Sequence, residues 1–302
     1  MAGFTDAAFR KLSQDYGATM TFTEMVSVNA LSRRNKATLK LLSFFTDENI
    51  GVQLFGQDPK TFVKAIGILE EFEKEKNFKF AAIDLNFGCP SSKIIRQGSG
   101  SALLIRPNKI KQIVEAVVSV AKRPVYCKIR SGISSKKINA VEIAKICEEA
   151  GASLVTVHAR TQKQGYNGKA NWSIIKKVKQ EVKIPICANG DIKDFDSYLK
   201  CKKETGADCF MIGRAAVGNP FIFKELSEEK KIIPSIEMKV AAFMEYLKYA
   251  KELDINFNQI KVHAQNFTRG IPSSTKIRNA LSRVKDLGEL LIIIKNIKFI
   301  KT

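Results

Sequence analysis

The chain has 302 residues, of which 45% are hydrophobic and 26% charged. That is enough apolar material for one large barrel with a small second domain, or for two ordinary domains. Fifty Lys and Arg oppose thirty Asp and Glu, a net +20. The surplus suits an anionic partner, because clustered cations displace the counterions around a phosphate backbone, and it suits an evenly solvated Lys-rich surface equally well. The opening Met1–Asp6 has no basic stretch followed by an apolar one, as a signal peptide would. No apolar run approaches the roughly 18 residues of a membrane span. Six cysteines at 89, 127, 147, 187, 201 and 209 form no close C-x-x-C pair, so a zinc or iron–sulfur site is not expected and a reduced, cytoplasmic protein is. Nothing points to an obligate protein partner.

In chain order, the first helix is expected at Asp6–Tyr16, with only Met1–Phe4 ahead of it. Strand candidates follow at Met20–Thr23, Gly51–Phe55, Ala82–Asn86, Val125–Ile129, Leu154–His158, Ile184–Ala188 and Cys209–Ile212. Their β-branched and apolar character suits strands buried on both faces. Amphipathic helices separate them, such as Lys109–Lys122 with Ile110, Ile113, Val114, Val117 and Val118 at helical spacing, and Ser173–Val182. This alternation predicts a parallel (β/α)8 TIM barrel, an architecture of roughly 250 residues. Seven strands are found where eight are needed. Either the first strand is vestigial, the recorded chain starts late, or the sheet is open. After Pro220 the alternation stops, and helices are expected at Met238–Lys251, Gln259–Thr268 and Lys276–Val284. The expected division is a catalytic barrel over residues 1–230 and a small all-helical domain over 231–302. From Pro234 onward twelve Lys and Arg oppose six Asp and Glu, leaving +14 on the rest, so a polyanion could touch both parts.

Chemistry in such barrels sits at the carboxyl ends of the strands. Read in order, those ends carry Thr23-Glu24-Met25, Gln53, Asn86, Lys128 with Arg130, His158 with Arg160, Asn189-Gly190-Asp191 and Gly213-Arg214. The last two sets suit a phosphate: glycines admit close backbone, helix N-termini favour an anion, and Arg214 adds charge-assisted hydrogen bonds. Cys89 falls in a rim loop, Asn86-Phe-Gly-Cys-Pro90, continuing to Gly98-Ser-Gly100. Lys93, Arg96 and Lys128 would favour its thiolate if close. It could serve as nucleophile or proton donor, and the residues alone do not choose.

Taken together, Met1-Ala-Gly-Phe-Thr-Asp6 with Arg10, Thr23-Glu24-Met25, Gly51-Val-Gln-Leu-Phe-Gly56, Asn86-Phe-Gly-Cys-Pro90, Lys128-Ile-Arg130, Val157-His-Ala-Arg-Thr161, Ala188-Asn-Gly-Asp-Ile192 and Ile212-Gly-Arg-Ala215 resemble the tRNA-dihydrouridine synthases, in order, over about the first 220 residues. The resemblance implies FMN in the barrel mouth. Met1 and Ala2 would lie against the flavin, Gln53 and Lys128 would bond its ring, and His158 would sit beside it. Asn189, Gly190, Asp191, Gly213 and Arg214 would hold its phosphate. It further implies NADPH, or NADH, as reductant and tRNA as substrate. Cys89 would be the acid that protonates carbon 5 of the uracil, and Asn86 would orient the base. Arg160, His263, Arg269 and Arg278 are carried over as substrate contacts. Family members normally have an apolar first strand and a proline before the equivalent of Met1, and the helical tail keeps only part of the family pattern. Two other readings remain: an FMN barrel acting on a small free pyrimidine, like dihydroorotate dehydrogenases, and a non-catalytic RNA-binding barrel. The first leaves the +20 charge and the basic tail without a purpose.

Overall fold

The computed structural model describes residues 1–45 and 48–297. Its strands are β1 (Thr21–Phe22), β2 (Val26–Ser27), β3 (Ile50–Phe55), β4 (Ala82–Asn86), β5 (Val125–Arg130), β6 (Gly132–Ser134), β7 (Lys137–Ile138), β8 (Leu154–His158), β9 (Ile186–Asn189) and β10 (Cys209–Met211). The main sheet is parallel and runs β1-β3-β4-β5-β8-β9-β10. β2 continues β1 along the same partner: Thr21 pairs with Ile50, and Val26 with Leu54. β6 and β7 form a separate antiparallel hairpin after β5, which the sequence pattern did not reveal.

Period-2 alternation explains how this sheet is both packed and functional. Val52, Leu54, Ile83, Leu85, Cys127, Ile129, Val155, Val157, Ile186 and Ala188 face outward and are buried in one apolar cluster. Helices Pro59–Lys76, Pro107–Val118, Ala140–Glu149 and Trp172–Glu181 complete that cluster. The intervening positions point inward, and the register sets them side by side: Gln53 with Asp84, Asn86 with Lys128, Arg130 with His158, His158 with Asn189. The strands are therefore apolar on one face only, where the composition suggested both.

The wall does not close. Among the described residues no strand joins β10 to β1, so each has an unpaired edge, and Met1–Phe4 form a turn. Among the described residues the tail forms four helices, Ile236–Glu252, Phe257–Phe267, Ser274–Arg283 and Leu287–Asn296, the last not expected. Their core is shared with the barrel: Phe9 and Leu12 of helix Ala7–Asp15, with Phe221 and Ile222, pack among Phe243, Tyr246 and Phe267. No described helix is long and apolar enough to cross a membrane.

A candidate active site in the barrel mouth

The inward-facing side chains line a cavity of about 2280 Å³ that includes Gln53, Asn86, Cys89, Lys128, His158 and Arg214. Met1, Ala2, Asn189, Gly190, Asp191, Gly213 and Arg269 border the same cavity. The site residues expected on the barrel rim are thus brought together. Arg278 lies apart from it, half-exposed on helix Ser274–Arg283, bonded to Ser274 and 3.4 Å from the Thr275 hydroxyl.

The Cys89 loop is held from its backbone, which leaves the thiol free. Asn86 Oδ1 accepts from the Gly88 and Cys89 N–H groups at 3.0 and 2.9 Å. The Cys89 carbonyl accepts from the Ser101 hydroxyl at 2.7 Å and its N–H at 3.1 Å. Gly100 has φ +61°, and a Cβ there would stand 2.9 Å from the Cys89 carbonyl, so only glycine lets the two segments meet. Arg130, fully buried, bonds the Gly88 carbonyl at 2.8 Å and those of Thr161 and Gly165 at 2.8 and 2.7 Å, tying this loop to the one that follows β8. Gln162 Nε2 donates to Ser101 Oγ at 2.9 Å and closes the same brace.

The opposite wall is cationic. Lys128 Nζ lies 3.3 Å from Asn189 Oδ1, and desolvation pushes its ammonium down to about 8 against the attraction of Asp84. His158 is held neutral, its pKa driven down to about 2 first by burial and then by Lys128, Arg130, Arg160 and Arg214. Its imidazole has no hydrogen-bond partner among the described residues, and lines the cavity. Gly190 has φ +115°, and a Cβ would come within 2.9 Å of the His158 ring, so the glycine is a steric requirement of this wall. Arg214 is exposed, with its guanidinium 4.8 Å over the Tyr166 ring. Gly213 caps the one-turn helix Arg214–Ala216 beside it. These groups can take an anionic phosphate and a flat polar ring.

Two expected roles need correction. Arg160 is buried and bonds the Asp191 carboxylate at 2.7 and 2.8 Å and the Gly168 carbonyl at 2.6 Å, all through Nη2. It braces the loops, and Nη1, with no partner among the described residues, is the terminal nitrogen left for a ligand at the cavity it borders. The Asp191 carboxylate, paired with Arg160 and accepting from the Ala170 N–H at 2.7 Å, is taken, which leaves its backbone, in the left-handed region at φ +59°, for a phosphate. His263 is fully buried between helices, Nε2 standing 3.0 Å from the Phe4 carbonyl and 3.2 Å from Asp6 Oδ2, so it cannot reach RNA on the surface. The sequence reading had missed Asp84, Ser101, Gln162 and Tyr166. The position of Asp84 two residues before Asn86 in one strand was the available signal.

Fold and site together define an α/β-barrel protein with a polar mouth built around a free thiol. The family model "Dihydrouridine synthase (Dus)" matches residues 1–301, and the chain belongs to this family. A probable tRNA-dihydrouridine synthase of Rickettsia bellii is 34% identical over 298 residues, covering 95% of this chain and 89% of its own. The tRNA-dihydrouridine synthase B of Pasteurella multocida is 34% identical over 304 residues, covering 98% and 90%. Among solved structures, a 2-naphthoyl-CoA reductase in complex with 2-naphthoyl-CoA superposes with a TM-score of 0.57 at 12% identity, over 74% of this chain and 47% of that one. Histamine dehydrogenase from Rhizobium sp. 4-9 gives 0.53 at 13% identity, over 80% and 46%. The chain spans about half the length of these two, and they share its barrel fold alone.

Proposed function

We propose that this protein reduces uridines in tRNA to 5,6-dihydrouridine, with FMN in the barrel mouth, NADPH or NADH as reductant, and Cys89 as the acid. The carrying observation is the Cys89 thiol, half-exposed in the same cavity as the neutral His158 and the cations Lys128 and Arg214. Family membership and the relatives' names support the substrate. The residues fit a flavin: Gln53, Lys128 and His158 would meet its ring, while Arg214 and the backbone of Gly190, Asp191 and Gly213 would meet its phosphate. Met1, Ala2 and Asn189 would border it. Bound there, the flavin supplies the hydride, which no side chain of this site can carry.

The protein then has three tasks: to position the base, exclude water and deliver a proton. Cys89 holds that proton on its sulfur and delivers it to carbon 5 of the uracil. Asn86 uses one Nδ2 hydrogen on Gln53, which leaves the second for the base. A uracil must leave its stack to enter the mouth, at roughly a few kcal/mol. Phosphate contacts from the basic surface, including Arg269 and Arg278, offset that cost without reading sequence. A tRNA substrate supports a cytoplasmic location.

The deciding assay is dihydrouridine formation in unmodified tRNA, given FMN and NADPH, for the wild type and Cys89→Ala. Product from the wild type and little from a variant that still binds flavin and tRNA supports the reading. Equal product from both removes Cys89 from its role. Turnover of free uracil or orotate instead would favour the small-pyrimidine enzyme, and a colourless protein that binds tRNA would favour a non-catalytic barrel.

A further inference from the structure

Beneath the mouth lies a group that the reaction itself does not call for. Asp84 is fully buried on the inner face of β4, and desolvation raises its pKa to about 6. A carboxylate in such a place costs stability, so its contacts are informative. Its Oδ2 accepts from Gln53 Nε2 at 2.6 Å, while Oδ1 has no partner among the described residues. Gln53 Oε1 accepts in turn from Asn86 Nδ2 at 2.8 Å. Asn86 Oδ1 then accepts from the Gly88 and Cys89 N–H groups.

The direction of this chain is fixed from both ends. An ionised carboxylate only accepts, so the Gln53 amide must turn its NH2 toward Asp84 and its carbonyl toward Asn86. Asn86 must then donate to Gln53, which leaves its carbonyl for the loop N–H groups. The loop N–H groups only donate and hold Asn86 the same way round, so without Asp84 it is Gln53 that loses its anchoring acceptor, and Asn86 loses the fixed partner that steadies its amide beneath the Cys89 loop. Lys128 neighbours Asn86 in register, and its charge is felt by Asp84. The relay therefore joins the ring-binding wall to the proton-donating loop.

We infer that Asp84 is a positioning residue that sets, through Gln53 and Asn86, the placement of the Cys89 loop for proton delivery. This rests on the proposed function for its catalytic arm only. The test compares Asp84→Ala with Asp84→Asn, since Asn keeps an oxygen that can accept from Gln53. The first readout needs neither flavin nor tRNA: the rate of Cys89 alkylation by iodoacetamide, followed by peptide mapping, with half-buried Cys209 as internal reference. Far-UV circular dichroism confirms folding of each variant. Loss of one directing hydrogen bond should change the Cys89 rate by about tenfold in Asp84→Ala, leave Cys209 unchanged, and be largely restored in Asp84→Asn. In the flavin-loaded enzyme the same pattern should appear in kcat, with KM for tRNA changed less than about threefold. A folded Asp84→Ala protein with wild-type Cys89 alkylation would overturn the inference, as would a Cys89 change of equal size in Asp84→Asn. If wild type reduces no tRNA, the alkylation result still decides the relay and the functional reading fails separately.

Discussion

The barrel mouth and the helical tail answer the same question, where tRNA would be held, in opposite ways. In the mouth several polar side chains are fixed by hydrogen bonds to the backbone of the rim loops: Arg130 and Arg160 span them, and Asn86 holds the Cys89 backbone. On the tail the candidate contacts are loose. Arg269 is exposed, and Arg278 is bonded only to hydroxyls of its own helix. Chemistry that must place a proton to a fraction of an ångström needs the first arrangement, whereas phosphate binding tolerates the second.

Substitutions can break this contrast, and the largest effect should fall in the mouth. Replacing Cys89 by Ala should lower kcat by about a hundredfold or more, the share expected of a positioned acid. Arg214→Ala should weaken flavin binding by roughly tenfold to a hundredfold, measured by flavin fluorescence on titration, as one charge-assisted contact to a phosphate is lost. An unchanged affinity would move the phosphate site elsewhere. In the tail, His263→Leu should cost about 1–3 kcal/mol in urea unfolding, because Asp6 and the Phe4 carbonyl lose a buried partner. If it impaired tRNA binding with stability intact, the correction made above would itself be wrong. Arg269→Ala and Arg278→Ala should each raise KM for tRNA by about threefold and reduce the salt slope of binding by about one, with kcat unchanged.

The smallest expected effect concerns pH. The folded pKa of His158 is depressed to about 2, so between that value and 6.5 the unfolded chain holds a proton there that the folded one does not. Its contribution is present above pH 6.5 and is lost as pH falls. Lys128, Arg130, Arg160 and Arg214 all face it, and their charges add to burial in disfavouring its protonation. His158→Gln should therefore flatten the fall in melting temperature between pH 7 and pH 5. An identical slope in both proteins would show that His158 does not stay neutral.

Much of this was legible beforehand. Ala82–Asn86 and Leu154–His158 were bounded correctly, because both runs stop at the polar residue that meets the mouth. The alternation of Val52 and Leu54 around Gln53, and of Cys127 and Ile129 around Lys128, already encodes a polar interior, although the overall apolar composition of the strands predicts burial on both faces. What resisted was partnership. Arg160 looks the same in sequence whether it grips a substrate or Asp191. His263 was misassigned although its spacing carried the answer: Ile260, His263, Ala264 and Phe267 form one helical stripe, and all four are buried. Tyr166 sits in a turn and Ser101 in the short 3-10 helix Gly100–Ile105, where no periodicity reports which way a side chain points.

The junction at Asp6 has a consequence for how the molecule comes apart. One carboxylate caps helix Ala7–Asp15 through the Phe9 N–H and accepts from the Tyr246 hydroxyl, with His263 alongside. The segment that opens the barrel mouth is thus welded to two tail helices. Heating should melt barrel and tail in a single calorimetric transition, and a chain cut at residue 230 should fold poorly even though every sheet strand is retained.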